Sequence, residues 1–403
     1  MISVSAPLRE VVTYFLRLGF IAFGGPAAHV ALMRRELVAQ RKWVDDQEFV
    51  DLLGVTNLIP GPNSTEMSMH LGALRAGRWG LWLGGLAFIL PAVAIVLALA
   101  WGYVRYGDRP AVEGLLFGVQ PVVLAIIVQA IWGLRKAAVK GPATLLVVLG
   151  AVALVAAGVN QLVVLLGAGV LLLALYAARR GRATGGWPAA VAAGWSRFAT
   201  VVERLTGLKL AVVGFGGVTP AVWSATPAGY SAMELFLVFL KIGGLLYGSG
   251  YVLVSFMQAD LVDARGWLTQ QELLDAIAVG QFTPGPLFSS ATFAGYVIDG
   301  WRGAALATAG IFLPSFAFVA ITHPLVPRLR RTPWAAPFLD GVNAAAVGLM
   351  GLVTFDLARE VTGDVTQVAI LAAAAVVLVR WSPNSAFLVL GGALAGLLHR
   401  AFI

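Results

Sequence analysis

Hydrophobic positions in this chain run together and do not alternate with polar ones. Leu81–Trp101, Leu145–Leu175 and Val368–Val379 are near-continuous apolar stretches. A helix needs about 20 mostly apolar residues to cross a bilayer core. Runs of this kind recur from end to end, which predicts an all-α integral membrane protein. Segments near 11–33, 80–104, 112–134, 142–158 and 161–178 are expected to cross fully. Residues 46–75 carry Arg41 and Lys42 before them and Arg75 and Arg78 after. Basic residues at both ends predict a re-entrant helical hairpin that enters and leaves on one side.

The pattern then repeats. Phe15–Gly19 aligns with Phe239–Gly243 at an offset of 224, and Trp43, Glu48 and Asp51 meet Trp267, Glu272 and Asp275. Pro60-Gly61-Pro62 meets Pro284-Gly285-Pro286 at that offset. After a one-residue slip, Gly77, Gly80, Pro91 and Gly118 meet Gly300, Gly303, Pro314 and Gly341. Loop charges invert between the copies. Residues 34–42 carry Arg34, Arg35, Arg41 and Lys42, whereas 258–266 carry only Arg265. Residues 105–109 carry two arginines and 328–331 carry three. Lys and Arg collect on the cytoplasmic side, so the halves read as two inverted-topology repeats. Each would hold five crossings and one hairpin, ten crossings and two hairpins in total. The first repeat is placed at 1–183, a cytoplasmic linker at 184–230 and the second repeat at 231–403. Leu208–Trp223 is apolar enough to be an interfacial or additional segment.

Composition agrees and narrows the chemistry. Of 403 residues, 59% are hydrophobic and 12% charged, against about a quarter charged in soluble domains. There is no cysteine, which excludes disulfides, cysteine-bound metals and thiol catalysis. Four scattered histidines lack H-x-x-x-H spacing, and no nucleotide-binding loop or nucleophile–base set occurs, so no metal, cofactor or enzyme activity is expected. The net charge of +8 sits in short loops and sets topology; it is not a nucleic-acid footprint. Arg9 and Glu10 precede the first apolar run and no A-x-A site follows it, which argues against a cleaved signal peptide.

Four constellations could carry function. In P-G-P, proline ends one half-helix and starts another. Helix N-termini inside a membrane expose N–H groups that can cradle an anion, and Asn57, Asn63, Ser64 and Thr65 add polar groups beside the first tip. Asp45-x-x-Glu48, Thr269-x-x-Glu272 and Asn63-x-x-Glu66 resemble capping boxes. The alternative is a plain turn between two short helices. Phe23-Gly24-Gly25-Pro26, echoed by Tyr247-Gly248-Ser249-Gly250, predicts a broken first crossing; close packing of small residues would use the same glycines. Arg17 and Lys241 lie in apolar runs at equivalent positions and would be anion ligands, or would snorkel to the interface. Glu66 and His70 share a helix face and are candidates to carry a coupling proton; His29 and Asp51 are weaker ones, and Glu66 could equally cap Asn63. Pro91 and Pro314 are expected to kink equivalent crossings.

Phe23-Gly24-Gly25-Pro26, Pro60-Gly61-Pro62-Asn63-Ser64-Thr65-Glu66, Gly77-Arg78-Trp79-Gly80 and Leu90-Pro91 together resemble the chromate ion transporter family in its long, two-domain form. The resemblance implies export of chromate across the bacterial inner membrane, conferring chromate resistance, driven by the proton motive force or by anion exchange. It implies sulfate as competitor or counter-substrate, and protons and lipid as the other partners. Arg17, Gly24, Gly25, Pro26, Pro60, Gly61, Pro62, Asn63, Ser64, Thr65 and Glu66 become the expected pathway residues; Lys241, Pro284, Gly285 and Pro286 are their counterparts. The second copy departs from the pattern at Tyr247-Gly248-Ser249-Gly250 and at Leu287-Phe288. A passive anion channel, or a carrier of sulfate or another oxyanion, fits the same scaffold. Many inverted-repeat transporters dimerise, so a homodimer is a further expectation, with no interface signature specific enough to name residues.

Overall fold

A computed structural model describes residues 6–23, 25–107, 109–159, 161–184, 231–246, 250, 252–326, 335–381 and 385–402. Among them every extended element is helical. The first half holds α1 (Ala6–Ile21), α2 (Gly25–Met33), α3 (Asp46–Thr56), α4 (Asn63–Tyr106), α5 (Pro110–Ala138), α6 (Pro142–Ala156) and α7 (Gln161–Thr184). The second holds α8 (Ala232–Leu245), α9 (Val252–Met257), α10 (Gln270–Phe282), α11 (Ser290–Thr322), α12 (Ala335–Val361), α13 (Val365–Trp381) and α14 (Ser385–Phe402). Both α2 and α9 run on into a wider π-helical turn, Arg34–Gln40 and Gln258–Asp263. Four helices, at 63–106, 110–135, 287–325 and 336–359, are long and apolar enough to cross a membrane. Shorter apolar helices accompany them at 142–156, 163–177, 365–381 and 385–401.

The longest helix is in fact two. Ala76 and Gly77 leave helical geometry, and Gly77 takes φ +61°, a conformation only glycine adopts freely. The chain reverses there. A Cβ on Gly80 would lie 1.9 Å from the carbonyl oxygen of Gly72, so the two arms touch backbone to backbone. In a straight helix those residues would stand ~12 Å apart. Gly300, at φ +55°, does the same in α11, where Gly295 and Gly303 make the equivalent contact. Thus α3 and the first arm of α4 form the expected re-entrant hairpin, with Pro60-Gly61-Pro62 at its tip. The entrance caps also form: Asp45 accepts from the Glu48 N–H at 2.7 Å, and Thr269 and Glu272 complete a full capping box.

The first segment differs from expectation. Arg17 pairs with Glu36, and His29 Nε2 lies 3.0 Å from the Ala22 carbonyl oxygen. Nineteen residues of straight helix would span ~28 Å, so this pair requires the chain to double back. α1 and α2 are therefore a second hairpin with its turn near residues 22–25, not one broken crossing. Lys241 and Asp260, at the same spacing, show the same reversal in α8 and α9. Among the described residues each half has two hairpins and four crossings, formed by the second arm of α4 and α5–α7, and by their counterparts.

Contacts between halves establish the inversion. Near its start the second arm of α4 places Trp82 on Phe316, late in α11. Near its end it places Tyr103 on Phe293, early in α11. Phe293 precedes the Gly300 reversal, but Thr292 bonds Thr308 at 2.8 Å and so sets that level beside the early part of α11's second arm; the second arms of α4 and α11 therefore run antiparallel, and equivalent hairpins enter from opposite faces. Gly114 meets Arg400 and Gly118 meets Gly392 and Gly396, which sets α14 antiparallel to α5. One face carries Arg34, Arg35, Arg41, Lys42, Arg75, Arg135 and Lys140, and is called the basic face below. α7 ends on it and α8 starts on the other. The linker, including 208–223, and Arg328, Arg330 and Arg331 lie outside the described residues.

Pro91 packs where Gly19 lets α1 approach α4, with a Gly19 Cβ falling 2.7 Å from the Phe88 carbonyl oxygen. Gly243 plays that part against Ile311 in the second half. Small residues here allow close helix contact, which is the main source of cohesion where lipid is as apolar as the helices.

Candidate functional site

Each P-G-P tip bonds to the opposite half at the end of that half's first helix. Proline has no N–H, so Gly61 is the one backbone donor within Pro60-Gly61-Pro62. It donates to the carbonyl oxygen of Leu246, at the turn of the second half's first hairpin, at 2.8 Å. Reciprocally, the Gly285 N–H donates to the Ala22 carbonyl oxygen at 2.9 Å. Gly61 and Gly285 have φ of +138° and +100°, and neither has room for a side chain. A Cβ on Gly61 would fall 2.2 Å from Glu66 Oε1 and 2.4 Å from Ser315 Oγ; one on Gly285 would fall 2.9 Å from the Ala92 Cβ.

A cavity of about 1260 Å³ leads toward the first of these tips from the basic face. Arg34, Arg35, Asp46, Lys140 and Asp340 lie at its mouth. Deeper, α3 lines one wall with Val50 and Leu53, and α12 lines the other with Asn343 and Val347. Its floor holds Gly25, Pro26, Asn57 and Asn63. The N-termini of α2 and of the first arm of α4 are therefore both aimed at the floor. The first N–H groups of a helix lack intrahelical partners and carry its positive dipole end. Asn63 donates to Asn57 at 2.5 Å, which fixes both amides there. At the mouth, Arg34 binds Asp46 with two bonds of 2.8 Å and holds that carboxyl below its usual range. Lys140 binds Asp340 at 2.6 Å. Arg35 meets no carboxylate among the described residues, so the mouth is net positive. The sequence reading missed Arg35 and Asn343; only their positions opposite α3 reveal them.

Of the expected pathway residues, Gly25, Pro26 and Asn63 line the cavity, and Pro60, Gly61, Pro62, Ser64, Thr65 and Glu66 are buried just beneath it. Gly24 and Tyr247-Gly248-Ser249 lie outside the described residues. Pro284, Gly285 and Pro286 are buried against the first half. Two of the expected ligands already have acidic partners. Arg17 is committed to Glu36, and Lys241 to Asp260 at 2.5 Å, with Arg265 adding a second contact to Asp260 at 3.3 Å. Neither cation lines the cavity. Each pairs with a carboxylate across its own hairpin. Asn63 also does not cap its helix. Pro62 occupies the N-cap, and Glu66 turns inward instead.

Glu66 is fully buried, with the Ser315 hydroxyl of the opposite half beside its carboxylate. Thr65 Oγ1 is likewise buried, without a hydrogen-bond partner among the described residues. One turn on, His70 Nδ1 lies 3.0 Å from His323 Nδ1 of the opposite half, so one ring donates to the other. These groups form a polar seam between the halves, running from the Gly61 tip toward the basic face.

The chain matches the chromate transporter family over residues 9–173 and again over 233–397, which are the two repeats. It is 35% identical to a chromate transport protein of Pseudomonas aeruginosa, covering 96% of this chain and 91% of that one. It is 31% identical to a chromate transport protein of Cupriavidus metallidurans, covering 97% and 92%. It is 30% identical to a probable chromate transport protein of Synechococcus elongatus, covering 89% and 86%. No solved structure matches it. With two inverted repeats, interlocked hairpin tips and a family match in each half, the chain belongs to the chromate transporter family and is a multi-pass membrane transporter, not an enzyme.

Proposed function

We propose that this protein is a secondary transporter that exports chromate from the cytoplasm across the bacterial inner membrane, driven by the proton motive force or by exchange for another anion. The carrying observation is the cavity floor. Two helix N-termini and two fixed asparagine amides face a cavity whose floor has no acidic side chain, beneath a net-positive mouth. Such a site binds anions through N–H donors and dipole ends. It selects charge and rough shape, so sulfate, a tetrahedral dianion, is expected to compete. The basic face is assigned to the cytoplasm by its excess of Lys and Arg. The cavity would then accept substrate from inside the cell.

Glu66, with His70 and His323, is the proposed proton-carrying seam. Its position between the halves would let a change in their packing alter access to the carboxylate. A passive channel is less well supported, because the hairpin opposite the cavity is packed closed over Leu273–Ala278.

The test is chromate uptake into everted inner-membrane vesicles, with and without a pH gradient and sulfate. Accumulation that the gradient drives, sulfate inhibits and Asn63→Ala weakens is expected. No accumulation above empty vesicles, with the protein inserted and folded, would overturn the proposal.

A further inference from the structure

Asp275, on α10, is 1% exposed, yet its carboxylate is fully engaged by the other half. Tyr103 Oη, on α4, donates to it at 2.9 Å, and Gln120 Nε2, on α5, at 3.0 Å. Gln367 of α13 donates to the Phe117 carbonyl oxygen at 3.0 Å and reaches the Gln120 side-chain oxygen at 3.5 Å. Four helices from both halves are thereby tied at one buried polar knot. A buried network of this kind holds firmly when complete and is costly when half made. It lies between the second P-G-P tip and the face opposite the cavity.

The repeat shows what else this place can be. Asp275 corresponds to Asp51, Leu274 to Val50 and Gln120 to Asn343. At the corresponding place in the first half, α3 and α12 stand apart, and Val50 and Asn343 line the open cavity. One architectural unit is thus present in two arrangements, closed around Asp275 and open around Asn343. Two packings of equivalent elements are what rocking one repeat against another requires.

We infer that Asp275, with Tyr103 and Gln120, latches a second gate whose opening exposes the Pro284-Gly285-Pro286 tip to the opposite face. In that state α10 parts from α5 while α3 closes on α12. The inference rests on the transporter reading but not on the identity of the anion. Asp275 is a positioning residue, holding the gate shut while the basic-face cavity is open.

The chain has no cysteine of its own, so single cysteines can be read against a silent background. Leu274→Cys should resist a membrane-impermeant maleimide applied from the opposite face. Adding Asp275→Asn and Gln120→Ala should raise its labelling roughly tenfold, and should lower labelling of Val50→Cys from the basic face. Separately, bridging the Gln120→Cys/Asp275→Cys pair with a short bis-methanethiosulfonate should form a cross-link that stops transport, and reductant should restore it. The inference is overturned by Leu274→Cys staying unreactive in a latch-broken protein that still transports. It is equally overturned if the cysteine pair fails to cross-link, or if the cross-linked protein transports at the uncross-linked rate. The labelling arm needs no substrate, so a protein that gates but moves no chromate would be recognised as such.

Discussion

The hairpin helices α3 and α10 have similar lengths, a side-chain cap at their start and the same P-G-P tip, yet they sit in opposite environments. Six successive residues of α10, Leu273–Ala278, are buried. Their equivalents on α3, residues 49–54, include Val50 at 46% exposure and Gly54, around which a Cβ would meet nothing within 4 Å. Local sequence makes both hairpins; what differs is the neighbour. Gln120 and Tyr103 hold α10 to the first half, whereas α3 faces a cavity. The comparison separates what the fold requires, which is symmetric, from what the transport state requires, which is not.

Four measurements would break or sharpen that contrast. The largest effect should be symmetric. Gly80→Val and Gly303→Val each place a side chain against a backbone carbonyl about 2 Å away, and both should abolish folded, inserted protein. Unequal outcomes would mean that the arm contacts are not equivalent. Next, Leu274→Ala should cost on the order of 2–5 kcal/mol in unfolding measurements in detergent, whereas Val50→Ala should cost under about 0.5 kcal/mol. Equal losses would remove the open–closed distinction. Third, Lys241→Ala should lower the thermal midpoint more than Arg17→Ala does. The Lys241 pair is 12% exposed on both sides, while Arg17 is 49% exposed. Neither change should raise the KM for chromate, and a large rise for Arg17→Ala would reinstate it as a ligand. The smallest effect is expected at the mouth. Arg35→Ala should raise KM by about threefold at low salt and less at high salt, with kcat unchanged.

Much of this was legible in the sequence because it depends on local chemistry. Proline around a lone glycine marks the tips, Asp45 and Thr269 mark the helix starts, and Gly77 and Gly300 mark the reversals of α4 and α11. The duplication and its inverted charge pattern gave the antiparallel plan. The first hairpin was not legible as one, because Phe23-Gly24-Gly25-Pro26 breaks a straight crossing and a reversal equally well. The missed signal was pairwise. Arg17 and Glu36, like Lys241 and Asp260, are nineteen apart in both halves, a spacing that makes sense only if the chain turns back. The Asp275 latch was hidden for another reason. Its partners are 155 and 172 residues away, and only the packing of one half on the other brings them together.

The exchange of hydrogen bonds between tips also has a consequence for biosynthesis. The Gly61 N–H and the Ala22 carbonyl oxygen belong to the half made first, but their partners are Leu246 and Gly285. At typical elongation rates of about 5–20 residues per second, the roughly 220 residues separating the two tips take on the order of 10–45 s to synthesise. Throughout that interval the Gly61 N–H, at membrane depth, has no partner in the nascent first half, at a cost of several kcal/mol if left in hydrocarbon, and the Ala22 carbonyl oxygen has only His29. A ribosome that stalls between the two tips would therefore leave a product incomplete at its centre, a natural substrate for membrane quality-control proteases.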